Sequence, residues 1–373
     1  DGSGQVQLLL NRCRHRGATV CQTERGNAKF FRCAYHGWVY RNNGDLASVS
    51  YEDRYDASFR KEEYGLLKVP RVETYRGFVF GSLSPVGVTL DEHLGQPVKK
   101  QIDLFVDLSP EGEIDARTGV HKYGYKANWK LQIENAMDGY HPNFAHQTFF
   151  DMVHKRTGVK ITDLFTSDSI GLTRDLGNGH VMLDYHDYNR ANNGRMQAVL
   201  PTSSGAQIYK EAMINKYGKE RAEDLILAGG THMFLFPNLI FIGVQLRVVQ
   251  PISATETEVF LYPTLLKGVS PEMNAGRLRG HEAFYGPSGM GAADDLEMFE
   301  RVQTGLQVQL DPWVLFARGL HRERQDADGT LVGQMTDELT QRGIWRHWKR
   351  VMAQGVGVAA RRRGNGVARQ HAR

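Results

Sequence analysis

Hydrophobic and polar positions change period along the chain. Over residues 1–85 the apolar residues come in short runs bounded by turn formers: QVQLLL (5–10), KFFRC (29–33), WVYRNNGDLAS (38–48) and RGFVFGSL (76–83). Such runs predict short strands, and NNGD within the third predicts a hairpin turn. SPVGVTLDEHLG (84–95) reads as a link. Beyond it the pattern mixes periods. KANWKLQIENAMDGYHPNF (126–144) predicts a helix entering a loop. The long apolar stretch 233–266 predicts two or three long strands, with a hairpin near PISATE. Leu296, Phe299, Val302 and Leu306 recur at helical spacing, and RGIWRHWKRVMA (342–353) predicts an amphipathic closing helix. Strands in one block with helices around them point to an α+β fold. The expected organisation is a small all-β domain (1–85), an α+β domain (86–354) and a disordered basic tail (355–373), with no internal repeat.

Composition adds limits. The 373 residues are 41% hydrophobic and 24% charged, as in a globular protein. No apolar run reaches the ~18 residues of a membrane span. The net charge of +4 resides in the tail, where GVGVAARRRGNGVARQHAR carries five Arg and no acid. The body therefore has no basic bias toward nucleic acid. The chain opens on DGSGQVQLLL without Met, and N-terminal residues of its first domain are expected to be missing.

The three cysteines all fall in CRHRGATVCQTERGNAKFFRCAYHGWVY (13–40). Cys13 and His15 form one pair and Cys33 and His36 another, with a Gly shortly after each His. Clustered Cys and His in a chain with so few cysteines suggest metal rather than disulfides. Two readings compete. One is a structural zinc site in a binding module, although zinc ligand pairs are usually alike. The other is a [2Fe–2S] centre with two thiolates on one iron and two imidazoles on the other. Cys21 is read as a small apolar filler.

A second cluster lies in ENAMDGYHPNFAH. Two His and one carboxylate suit non-haem Fe(II) and leave positions open for dioxygen. His141 and His146 would lie about 140° apart on an ideal helix. They can share a metal only if the helix breaks, and Pro142 disfavours helical geometry at His141. Asp138 is either the third ligand or a partner for the other ring nitrogen of His141. Farther on, Asp294 and Asp295 stand where a helix is expected to start, a position that ordinary capping would explain.

The spacing Cys-x-His, seventeen residues, Cys-x-x-His, followed by Gly-Trp, resembles the Rieske motif of aromatic-ring-hydroxylating oxygenases. ENAMDGYHPNFAH and GPSGMGAADD resemble the catalytic-iron segments of the same family, and the likeness runs from about Val6 to about Ala353. It implies a Rieske [2Fe–2S] cluster on Cys13, His15, Cys33 and His36, and a mononuclear Fe(II) on His141, His146 and Asp295. Asp294 is left as a cap. The resemblance also implies that Asp138 bridges His141 to His36 of a neighbouring copy. The fold implied for the second domain is a central antiparallel sheet surrounded by helices (helix-grip, START-like).

The activity implied is cis-dihydroxylation of an aromatic ring with dioxygen. Monooxygenation or demethylation are the alternatives within the family. Electrons would come from NADH through a reductase, directly or through a ferredoxin. A cytoplasmic homotrimer, or an α3β3 assembly with a β subunit, is expected. Met137, Phe236, Asn238 and Tyr285 are candidates to line the substrate pocket. The spacing of Glu134-Asn135 from Asp138 resembles the benzoate-type members, and Asn135 receives no catalytic role. Several Arg compete for a carboxylate on the substrate, Arg301 among them, and the sequence does not choose.

Overall fold

The computed structural model describes residues 1–158, 160, 162–192 and 204–370, with the backbone alone at 204 and over 355–370. The chain forms two compact units, Asp1–His93 and Leu94–Arg373. The first helix, α1 (Leu90–Asp107), is broken at Gly95, which adopts φ 64°.

The first unit holds a three-stranded antiparallel sheet of β1 (Phe30–Arg32), β2 (Val39–Arg41) and β3 (Leu46–Ser48), and a hairpin of β4 (Arg71–Tyr75) and β5 (Phe78–Ser82). The NNGD turn joins β2 to β3 as its residues predict, with Gly44 at φ 93°. QVQLLL forms no strand of its own. It makes one bridge, Leu9 to Lys68, flanked by hydrogen bonds from Leu10 N to Leu67 O and from Val69 N to Leu8 O. The core gathers Cys13, Val20, Cys33, Trp38, Tyr40, Leu46, Val49 and Leu66.

The second unit is built on a nine-stranded antiparallel sheet. Its strands are β7 (His121–Tyr125), β8 (Leu172–Gly177), β9 (His180–Asp184), β10 (His232–Leu235), β11 (Leu239–Ile242), β12 (Gln245–Ser253), β13 (Glu256–Pro263), β15 (Arg324–Gln325) and β16 (Leu331–Gln334). They lie in the order β15-β16-β8-β9-β10-β11-β12-β13-β7. A small pair, β6 (Ile114–Asp115) and β14 (Leu265–Leu266), stands apart. The stretch 233–266 thus holds four strands of the large sheet, and β14 beyond them, rather than two or three, because Pro237-Asn238 and Gly243 interrupt its apolar run with turns. The hairpin near PISATE is the β12–β13 connection.

The other helices are α2 (Trp129–Ala136), α3 (Pro142–Ala145), α4 (Gln147–Thr157), α5 (His186–Ala191), α6 (Ser204–Tyr217), α7 (Lys219–Ala228), α8 (Pro271–Tyr285), α9 (Met290–Gly305) and α10 (Leu339–Gln370). Helices α2 and α10 cover one face of the sheet. Ile133 and Ala136 of α2 and Ile344 of α10 pack on Val181, Phe234, Ile240 and Val249. Ile133 is completely buried, and its burial contributes about 2 kcal/mol. Along β13, buried positions alternate with partly exposed ones, the period of two that a strand imposes.

Helix α10 carries helical backbone through residue 370. Residues 371–373 lie outside the described ones. Among the described residues, no helix is long and apolar enough to cross a membrane.

Candidate functional site

The first unit places its Cys and His residues on two loops of the same design. Gly17 N donates to Cys13 O and Gly37 N to Cys33 O, both at 3.0 Å. Cys13 N and Cys33 N each donate at 2.8 Å to the carbonyl five residues on, Ala18 and Trp38. Closing the loops so tightly needs left-handed backbone at Gly17 and Gly37, φ 82° and 72°. Each loop thereby presents a buried, free thiol and an imidazole. The His15 and His36 rings stand edge to face, centroids 4.5 Å apart, and Trp38 stacks on His15 at 5.1 Å.

The donor set fits a two-thiolate, two-imidazole cluster. Nδ1 of His15 is buried without a hydrogen-bond partner, as a nitrogen reserved for metal would be. Burial, then the neighbouring His36 and Arg16, hold this ring below the usual histidine range, so it stays neutral as a ligand must. Tyr40 OH lies 3.2 Å from Cys13 Sγ and accepts from Arg14 N. Cys21 is exposed and donates to Thr23 O, so it is no core filler. Its loop is anchored by Asn11 instead, which accepts from Cys21 N and donates to Cys21 O.

In the second unit the chain leaves α2 at Met137 and turns twice. Asp138 Oδ1 accepts from Tyr140 N at 2.6 Å, which fixes the turn before α3. His141 caps α3, and His146 sits at the junction of α3 and α4. His141 itself adopts helical backbone, with Pro142 as the first residue of a new helix. The break that brings the two rings together therefore falls on either side of α3 rather than at Pro142, and the ring centroids lie 5.2 Å apart.

Helix α9 supplies the carboxylate. Asp295 Oδ1 lies 3.6 Å from His141 Nε2 and 3.3 Å from His146 Nε2. One ligand atom from each of His141, His146 and Asp295 falls within 4.8 Å of the others. Asp138 instead lies on the far side of His141, its Oδ2 3.4 Å from Nδ1 but off-line for a hydrogen bond. Asp294 is not a cap. Helix α9 starts earlier, behind Gly289, and puts Asp294 in its second turn, with Oδ2 3.2 Å from His146 Nδ1. Asn135 donates from Nδ2 to Asp295 Oδ1 at 2.9 Å and faces His141 Nε2 at 3.2 Å. Its amide hydrogens thus meet atoms that a cation would take up, which suits the set to a metal. Burial raises the Asp295 carboxyl, but His146, His141 and Asn135 outweigh it and hold it low. Burial likewise opposes protonation of His146, and Asp295 and Asp294 overcome it.

Beside these three side chains lies a cavity of about 220 Å³. Leu183, His232, Ile242 and Arg247, from the adjacent strands β9 to β12, form its floor, and Phe149, Phe150, Phe165 and Phe284 supply apolar walls. Of the four pocket candidates, Tyr285 lines the cavity and the other three do not. Met137 is fully buried in the core under α2. Phe236 packs on that core and on His347, and Asn238, in the β10–β11 turn, donates from Nδ2 to Val249 O on β12. Arg301 is exposed and pairs with Glu297. Sequence reasoning missed Asn135, Asp294 and Arg247. The signal for Arg247 was a charge on the strand face that also carries Val249, which two residues on faces the core.

Two family models match the chain: Rieske [2Fe-2S] domain over residues 1–75, and ring hydroxylating alpha subunit (catalytic domain) over residues 113–354. The first removes the zinc alternative. The anthranilate 1,2-dioxygenase large subunit of Acinetobacter baylyi is 32% identical over 96% of this chain and 79% of its own. The 2-halobenzoate 1,2-dioxygenase large subunit of Burkholderia cepacia is 34% identical over 85% of this chain and 68% of its own. Among solved structures, naphthalene 1,2-dioxygenase with indole bound in the active site superposes with a TM-score of 0.73 at 26% identity, covering 93% of this chain and 79% of that one. A chain with both domains in this order, and with relatives of this identity over nearly its full length, belongs to the Rieske-type ring-hydroxylating oxygenase α subunits.

Proposed function

We propose that this chain is the terminal oxygenase of a multicomponent system that cis-dihydroxylates a single aromatic ring. The observation that carries the reading is the convergence of His141 Nε2, His146 Nε2 and Asp295 Oδ1 at a small apolar cavity. When bound, the ferrous ion supplies dioxygen activation and the Rieske cluster supplies electrons. Cys13, His15, Cys33 and His36 are the proposed cluster ligands, and His141, His146 and Asp295 those of the ferrous ion. The chain's own residues do the rest. The Phe walls hold the ring flat and exclude water. Asp294 and Asp138 stand at the outer nitrogens of His146 and His141, and a proton held there leaves each Nε2 free to coordinate.

In this reading Asp138 also reaches His36 of a neighbouring copy, which requires a closed ring of at least three chains. NADH, a reductase and, where used, a ferredoxin complete the system in the cytoplasm, with or without a β subunit. The test is product analysis under labelled dioxygen with the full chain and its reductase. Two labelled oxygens in one product, lost in Asp295→Ala, are expected. One labelled oxygen would replace the reading by monooxygenation. Activity persisting in Asp295→Ala would remove Asp295 from the ligand set.

A further inference from the structure

Arg247 is 3% exposed, and what it exposes faces the cavity. Among the described residues it forms no ion pair. A buried, unpaired guanidinium is costly, and such cations are normally matched by a carboxylate. The acids lining the cavity are Asp138 and Asp295, and both are engaged by the histidines. Its histidine neighbours do not share the charge. Burial first, then the field of Arg247, push His232 down to about 4 and His281 to about 3, so both are neutral near pH 7.

The guanidinium is nonetheless held in place. Its Cζ lies 4.9 Å from the centroid of the Tyr285 ring. With the Gln245 amide oxygen turned toward it, that oxygen accepts from Nε and Nη2, both at 3.1 Å. Gln245 precedes Arg247 by two residues on the same face of β12 and is fully buried. One edge of the fork is thus fixed by protein, while Nη1 has no partner among the described residues. The remaining Nη1/Nη2 edge is a planar two-donor face that matches a carboxylate.

We propose that Arg247 binds the carboxylate of an aromatic acid, so that the substrates of this site are single-ring carboxylates. The proposal rests on the ring-oxygenase reading of the cavity. The size agrees: about 220 Å³ lies below the roughly 300–1,000 Å³ of pockets for drug-sized ligands and suits one ring with a substituent. Tyr285, stacked on the cation, orients the fork, and Gln245 keeps it from rotating. Without the acid the cation stands desolvated and unmatched. A neutral ring leaves the cation unmatched, so the selectivity for acids comes from the charge-assisted pair that only a carboxylate forms.

The test is equilibrium binding of benzoate and its near-isostere benzamide to the full chain at neutral pH by calorimetry, with turnover of both measured in parallel. Wild type should bind benzoate at least about tenfold more tightly than benzamide. Arg247→Gln should lose about 30-fold or more in benzoate affinity and leave benzamide within about threefold, since breaking a buried charge-assisted pair costs that much or more. Arg247→Lys, which keeps the charge but not the fork, should recover part of it. Equal wild-type affinities, or benzoate binding within about threefold in Arg247→Gln, would overturn the proposal. The wild-type ratio decides this even if a variant fails to fold. Benzoate bound through Arg247 but never oxidised would fell the catalytic reading and leave the carboxylate site standing. Oxidation of both compounds without preference would do the reverse.

Discussion

The contact between Asp294 and His146 permits a quantitative test of how the metal site is supported. Asp294 Oδ2 lies 3.2 Å from Nδ1, and its side chain is 41% exposed while that of His146 is 2% exposed. A fully buried hydrogen bond to a charged group contributes about 1.5–3 kcal/mol. Water at the exposed carboxylate screens this, and about 1 kcal/mol is the reasonable share. The contact orients the ring and raises the basicity of Nε2, so its loss should appear in metal affinity. At about 1.4 kcal/mol per tenfold, Asp294→Ala should weaken ferrous binding roughly five- to tenfold, the low end of the 10- to 100-fold seen for such supporting groups. Asp294→Asn, which keeps an acceptor oxygen but no charge, should lose less. Asp295→Ala should bind too weakly to titrate. The assay is anaerobic competition for Fe(II) against a chelator, with the visible absorption of the Rieske cluster as a check that each variant is folded. Affinity within about twofold of wild type in Asp294→Ala would refute the reasoning. A loss as complete as in Asp295→Ala would make Asp294 a ligand.

Two further outcomes follow from buried groups. Glu134 is pushed up to about 7 by burial, against the Trp345 indole N–H that it accepts at 2.7 Å. A carboxyl raised in the folded state contributes stability below its unfolded value and loses it as pH rises through the folded one. The folded protein should therefore lose about 3 kcal/mol between pH 4.5 and 7 from this group. Thermal unfolding of Glu134→Gln should be correspondingly less pH-dependent over that range, and parallel wild-type and variant profiles would refute this. At the cluster, Tyr40 OH stands 3.2 Å from Cys13 Sγ. Hydrogen bonds to ligand sulfur stabilise the reduced state, so Tyr40→Phe should lower the Rieske potential by on the order of 60 mV, a tenfold one-electron change. Spectroelectrochemical titration reads this directly, and an unchanged potential would remove Tyr40 from the electronic surroundings of the cluster.

Much of this architecture was legible because local signals and tertiary structure agree. The NNGD turn, the short strands around the Cys/His pairs and the helical spacing of Leu296, Phe299 and Val302 all reappear. The set His141, His146 and Asp295 was reached through resemblance; the spacing alone left Asp138 and Asp295 both open. What decides between them is which nitrogen of His141 each carboxylate faces, and no one-dimensional pattern carries that. Asp294 was misread because acids near a helix start look like caps. The turn GPSG placed the true start at Gly289, and the small residues that follow fill the first turn. The pocket residues were the least legible. Met137 and Tyr285 are equally apolar-compatible on paper, and only the course of α2 and α8 over the sheet puts one in the core and the other at the cavity.

Helix α9 has a consequence for how the protein is made. Glu300 and Gln303 accept the backbone N–H groups of Lys126 and Asn128, the residues just before α2. Asn135 on α2 and Asp295 on α9, 160 residues apart in the chain, meet through a 2.9 Å hydrogen bond. A nascent or misfolded chain can offer two histidines but not the carboxylate. With the ligand set proposed above, two imidazoles alone would hold ferrous iron weakly, and retention of the ion would report that the intervening sheet has closed.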